Sequence, residues 1–160
     1  MRGARYETRC EVRGARYENS LLLQKKDLVM NDFYYRKVDA YKLAKELTKQ
    51  VYQLLRRFPP EERYALTDQT RRAAISIPAN IAEGLGRFAI KERIHFLDIA
   101  YGSLTEVLCE IEIAHDNLYI TDEEFASIDL LASRVSMTIY GLKKSLEGKI
   151  KNQNNIINPE

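Results

Sequence analysis

The chain has 160 residues, no Trp, seven Gly, four Pro and 45% hydrophobic residues. That length fits one domain, and so few turn residues argue against a β-sandwich or barrel. Two cysteines exclude a disulfide scaffold and a four-cysteine zinc site, and a net charge of +2 names no partner.

An internal repeat opens the chain. RGARYE occupies Arg2–Glu7 and returns at Arg13–Glu18, a period of 11 residues. Two copies are too few for a solenoid. Residues 1–30 are polar and carry no sustained helical stripe, so a disordered arm is expected. A different kind of sequence begins directly after Met30. Synthesis is therefore expected to start there naturally, with residues 1–29 read from a repetitive upstream element. The other use for an Arg-rich arm is nucleic-acid binding, against which stand its four acidic residues. No window of 18 apolar residues exists to cross a membrane. Ser20–Leu23 is too short for the apolar core of a signal peptide, which leaves a cytoplasmic location as the default.

The first helix is expected over 36–58, where Ala40, Ala44, Leu47, Val51, Leu54 and Phe58 recur at helical spacing. Pro59–Pro60 stops it. A second helix is expected from Thr67, as its cap, to Leu85. Its inner face reads Thr70, Ala73, Ala74, Ile77, Ile81 and Leu85. Pro78 should kink it near Ala74, and Gly84 and Gly86 should end it. The third helix is expected from Ala89 to Leu118, on a seam of Ile90, Ile94, Leu97, Tyr101, Leu104, Leu108, Ile111, His115 and Leu118. Gly102 and Ser103 point to a close crossing. The fourth opens on a capping box, Thr121-Asp122-Glu123-Glu124. Its stripe is Phe125, Ile128, Ala132, Val135, Ile139, Leu142 and Leu146, with Gly148 as the stop. Lys143 and Lys144 would complement its negative end. Residues 149–160 read as a frayed polar tail. The fold expected over residues 31–148 is all-α: an antiparallel up-down-up-down four-helix bundle with long third and fourth helices.

Little in the sequence points to chemistry. His95 and His115 are 20 residues apart on one helix, roughly 30 Å in axial rise, too far to share a metal. There is no HExxH and no Gly-rich phosphate loop. Glu112 and His115 form a Glu-x-x-His pair without the second copy that a di-iron bundle needs. No catalytic residue, cofactor or metal is therefore assigned. His115 is expected to bond a neighbouring helix, and Cys109 to be a packed, inert thiol.

The densest polar cluster is Gln69, Arg71, Arg72, Ser76, Asn80, Glu83 and Arg87. The preferred reading is structural: Ser76, Asn80 and Glu83 form an inter-helix network that satisfies the backbone freed by Pro78. The other reading makes Arg71, Arg72 and Arg87 a contact for phosphate or RNA. Residues 94–133 carry nine acidic groups and no Lys or Arg. Residues 31–58 are net +4, through Arg36, Lys37, Lys42, Lys45, Lys49, Arg56 and Arg57. Such complementary faces fit a head-to-tail contact between copies that closes into a ring. Lys42, Lys45 and Lys49 against Glu106 and Glu110 are the residues assigned to it. The acidic surface would repel nucleic acid.

The block QTRRAAISIPANIAEGLGR (Gln69–Arg87), then HFLDIAYGSLTEVLCEIEIA (His95–Ala114), resembles the 23S rRNA intervening-sequence protein family, also called the four-helix bundle protein family. FYYRKVDAYKLAKELTKQVYQLLRRFPPEE (Phe33–Glu62) and SRVSMTIYGLKKSL (Ser133–Leu146) extend the resemblance across Asp32–Leu146. It implies a bacterial antiparallel bundle assembled as a homopentameric ring. It implies no established enzymatic activity, so no catalytic residues carry over. A more distant bundle relative is the accessory protein of diversity-generating retroelements, a basic pentamer that binds reverse transcriptase and nucleic acid. This sequence departs from it, since residues 31–160 are net −1. The function expected is a non-enzymatic, oligomeric assembly or adaptor protein whose partner is itself, with no membrane contact. The alternative is an RNA- or DNA-binding accessory factor.

Overall fold

The structure, a computed structural model, describes residues 33–157. The RGARYE repeat, Cys10 and the start expected at Met30 lie outside the described residues. A 3₁₀ turn, Tyr34–Lys37, leads into helix α1, Asp39–Leu55. A second 3₁₀ turn, Pro60–Tyr64, follows the prolines. Helix α2 spans Leu66–Gly86, α3 spans Ile90–Asp116 and α4 spans Asp122–Ile157. Among the described residues there is no strand, and the fold is an all-α four-helix bundle.

Each helix packs on its neighbours in sequence, α1 closes on α4, and the diagonal pairs do not meet. Thr48 and Tyr52 of α1 meet Ala74 and Arg71 of α2. Gln69 and Ser76 of α2 meet Glu106 and Ser103 of α3. Asp98 and His115 of α3 meet Lys143 and Asp122 of α4. In each pair the residue numbers rise on one helix as they fall on the next, which is antiparallel packing. The core runs down the middle through Leu47, Val51, Ile77, Ile81, Leu97, Leu104, Ile111, Ile128, Val135 and Ile139, each no more than 2% exposed. Burying each of these side chains contributes about 1.5–3 kcal/mol before the entropy of ordering the chain is counted.

The predicted stripes hold best on α1, where all six apolar residues are buried. The helix itself stops at Leu55, and the following turn presses Phe58 onto Tyr119, ring centroids 5.7 Å apart. On α3 the buried face is rotated from the predicted seam. Leu97, Leu104 and Ile111 are inside, but so are Ala100, Ser103, Val107, Glu110 and Ala114, while Tyr101 and Leu118 are exposed. The reason is size: the small residues face α2 and let it approach.

Gly84 provides the rest of that approach. A Cβ there would lie 2.9 Å from the Phe96 Cβ and 3.2 Å from the Arg93 carbonyl. Gly102, by contrast, is exposed with nothing within 4 Å, so the close crossing uses Ser103 and Gly84 instead.

Helix ends differ from expectation in three places. Thr67 is buried inside α2 and does not cap it, and Glu62 Oε2 accepts from the Leu66 N–H at 3.3 Å. The α3–α4 turn is closed by Leu118 at φ 60°, with Leu118 N–H on the His115 carbonyl and Tyr119 N–H on the Ala114 carbonyl. That is a Schellman cap made without glycine. The capping box forms as predicted: Thr121 N–H donates to Glu124 Oε2 at 3.1 Å and Glu124 N–H to Thr121 Oγ1 at 3.3 Å. Finally, Gly148 does not stop α4, which continues to Ile157. An exposed glycine weakens a helix by about 1 kcal/mol, and Gly148 keeps the right-handed backbone that lets α4 continue. Lys143 and Lys144 are therefore mid-helix, and Lys143 is held by Asp98 at 2.5 Å.

Candidate functional site

Pro78 has no N–H to give the Ala74 carbonyl one turn before it. A hydroxyl from the next helix supplies the bond: Thr48 Oγ1 of α1 lies 2.8 Å from the Ala74 oxygen. It also lies 2.9 Å from its own Ala44 carbonyl, so one proton serves two acceptors. The network assigned to Ser76, Asn80 and Glu83 takes a different shape. Asn80 Nδ2 donates to the Ser76 carbonyl and to Ser76 Oγ, both at 2.8 Å. Ser103 of α3 joins them, its Oγ 2.9 Å from Ser76 Oγ. Glu83 takes no part, because it is paired with Arg87 on the exposed side.

Glu110 is the one charged side chain buried among the described residues, 6% exposed at the α2–α3 interface. Its Oε2 has no hydrogen-bond partner. Burial pushes its carboxyl up to about 7, opposed by the nearby Thr70 hydroxyl. Glu110 therefore cannot serve on an exposed acidic face, as the sequence reading assigned it. Glu106 is also turned toward α2, where Gln69 donates to it.

The arginines of the candidate nucleic-acid contact are not gathered. Arg72 is held by Asp68 and Gln69, and Arg87 by Glu83 and the face of Phe96 at 4.7 Å. Arg71 lies over Tyr52 at 5.6 Å. Arg87, directly after the end of α2, is 16 residues beyond Arg71, about 24 Å away. Cys109 is exposed rather than packed. His115 does bond its neighbour: Nε2 is 2.7 Å from Asp122 Oδ1, with the ring stacked on Phe125. No group of three His, Cys, Asp or Glu could hold a metal among the described residues. None of the described helices is long and apolar enough to cross a membrane.

Two outer faces stand out. On α1, Lys45, Lys49, Tyr52 and Arg56 share one stripe by their helical spacing, and Arg71 and exposed Ile75 continue it onto α2. Lys49 is paired with Glu46 at 3.6 Å and Lys42 with Asp39 at 3.2 Å. On the α3–α4 side, Tyr101, Met137 and Tyr140 are 47%, 65% and 65% exposed around a groove of about 310 Å³, with the Asp98–Lys143 pair at its edge. Glu112, Asp116 and Asp129 lie exposed farther along this side, and no ion pair among the described residues reaches them. Since α1 pairs with α2 and α3 with α4 around the square, the basic face and the acidic, apolar face lie on opposite sides of the bundle.

Comparison with known proteins gives a family and a fold. Residues 36–141 match the family described as 23S rRNA-intervening sequence protein. A crystal structure from the S23 ribosomal protein family of Bacteroides thetaiotaomicron, of unknown function, is similar, with a TM-score of 0.61 and 23% identity. The similarity covers 66% of this chain and 98% of that one. No curated protein matches the sequence.

Proposed function

The chain belongs to the 23S rRNA-intervening sequence protein family, and on that premise we propose that it is a non-enzymatic bundle that assembles with copies of itself and acts as an adaptor. The observation that carries this reading is the opposition of the two outer faces. A basic α1–α2 face with Tyr52 and Ile75 complements an acidic α3–α4 face with Tyr101, Met137 and Tyr140. Because the faces differ and point in opposite directions, contact is head to tail, and a suitable rotation closes it into a ring. Five copies is the size the resemblance implies. With Glu110 buried and Glu106 bonded to Gln69, we assign the acidic half of the contact to Glu112, Asp116 and Asp129 in their place.

Light scattering at micromolar concentration tests the proposal. The expected mass is several times the 18.6 kDa of one chain. Lys45→Glu with Arg56→Glu should give monomers, and so should Glu112→Lys with Asp129→Lys. Mixing the two variants should restore paired species, because each then meets its complement. A monomeric wild type would overturn the reading.

The alternative, contact with RNA or DNA, retains one supporting observation: Arg71 stacked on Tyr52 within the basic α1–α2 face. Fluorescence anisotropy with a structured RNA separates the two readings. Affinity at low salt that collapses as salt rises supports phosphate contact. No affinity at low salt removes it.

A further inference from the structure

Glu110 has no part in the assembly surfaces, yet it is the most unusual side chain in the bundle. A carboxylate buried with one oxygen unpartnered is strongly disfavoured. The charged groups acting on it are few. Glu106, one turn earlier on α3, repels its charge, and Arg72 of α2 attracts it. Arg72 is already engaged by Asp68 and Gln69. The same Gln69 also donates to Glu106. The contacts Asp98–Lys143 and His115–Asp122 put Ile128 of α4 at this level, buried and apolar, while Asp129 beside it is exposed. Diagonally opposite, α1 offers Val51 and Leu54, also buried.

Thr70 links Glu110 to the start of α2. Its Oγ1 donates to the Leu66 carbonyl at 2.7 Å, in the first turn of α2. With its proton there, the Thr70 oxygen is a ready acceptor for a protonated carboxyl. An ionised carboxylate instead demands the Thr70 proton, at the expense of the Leu66 bond. That first turn has no side-chain cap from Ala65 and is otherwise tied down by Glu62.

We propose that Glu110 is a proton-operated latch on the α2–α3 seam: protonated, it closes the seam, and ionised, it draws Thr70 and Arg72 toward itself and loosens the start of α2. The raised affinity of its carboxyl for a proton, released at about 7, agrees with this geometry. An unfolded chain releases the same proton near 4.3. Between those two pH values the folded state holds more protons than the unfolded one. Stability therefore falls as pH rises through this window and levels off above it. The latch does not depend on the assembly reading.

A carbon-13 NMR titration of the wild-type protein, read at the Glu110 side-chain carboxyl, tests the first half. The expected midpoint is near 7, against ordinary midpoints for exposed carboxyls such as Glu112. A Glu110 midpoint near 4 would overturn the proposal. The second half is read by hydrogen exchange of residues 66–72, corrected for the intrinsic effect of pH. Protection should drop several-fold from pH 5.5 to pH 8 relative to α4, and Glu110→Gln should abolish the drop. The wild-type melting temperature should likewise fall by roughly 5–10 °C across that range, and that of Glu110→Gln should fall less. Equal pH profiles in wild type and Glu110→Gln would overturn the latch. So would wild-type protection that does not change with pH, a test that stands even if the variant fails to fold.

Discussion

The α2–α3 and α1–α4 edges of the bundle solve the same problem in opposite ways. Along α2–α3 the residues are small, the backbones approach closely at Gly84, and Ser103 bonds across the gap to Ser76, which Asn80 holds from one turn along α2. Along α1–α4 the outer positions are long and polar: Gln50, Gln53 and Arg57 face Glu124 and Ser127 across a groove of about 400 Å³. One exposed ion pair, Arg57 with Glu124, spans it. Polar atoms therefore do different things on the two edges. In the close seam they are desolvated, so each must be matched, and a mismatch is costly. In the open groove, water can solvate whatever the protein leaves unpaired, and the ion pair contributes about 0.2–1 kcal/mol at most.

The contrast can be broken most severely at its shared centre. Leu104, 1% exposed, faces the core from α3, and Leu104→Asp places an unpaired charge there. A loss of about 4 kcal/mol or more is expected, enough to abolish a cooperative thermal transition. Cooperative melting close to that of wild type would show that α3 is placed in the wrong rotation. Next comes a pair of glycines on either side of the contrast. Gly84→Ala must push apart Phe96 and the Arg93 carbonyl, which should cost about 1–3 kcal/mol in urea unfolding. Gly102→Ala meets nothing and should stabilise by about 0.5–1 kcal/mol. If both substitutions shift stability the same way, the α2–α3 approach is not as close as described. The smallest effects compare hydrogen bonds. Thr48→Val strips the Ala74 carbonyl of its donor from α1 and should cost about 1–2 kcal/mol. Arg57→Ala, on the open edge, should cost less than about 1 kcal/mol. Equal losses at the two sites would erase the distinction between a dry seam and a wet groove.

The same distinction explains what could be read from the sequence. Apolar stripes announce helices that meet through large side chains, so α1 and most of α4 were legible residue by residue. The α2–α3 seam is built from alanine, serine, glycine and threonine, which carry little hydrophobic signal. The stripe assigned to α3 followed the larger Tyr101 and Leu108 and missed Ala100, Val107 and Ala114. The capping box was visible because it is local, whereas Thr48 gave no hint that it served a proline 30 residues away. Charge segregation was equally plain in the sequence. Which acids are free was not, since Glu106, Glu110 and Glu112 differ only in the direction each leaves the helix. Reading α3 by its small residues would have turned Glu110 inward and Glu112 outward.

The hydrogen bond from Thr48 to Ala74 has a consequence beyond its energy. Two smooth apolar stripes can slide past each other by a helical turn, about 5.4 Å, and still bury much of the same surface. Pro78 leaves a single carbonyl of α2 short of a donor, and α1 presents a hydroxyl at the matching height. Slipping by a turn would strand the Ala74 carbonyl, while the hydroxyl kept only its own Ala44 carbonyl. The proline thus acts as a notch and the threonine as its key, fixing how far along α2 the first helix comes to rest.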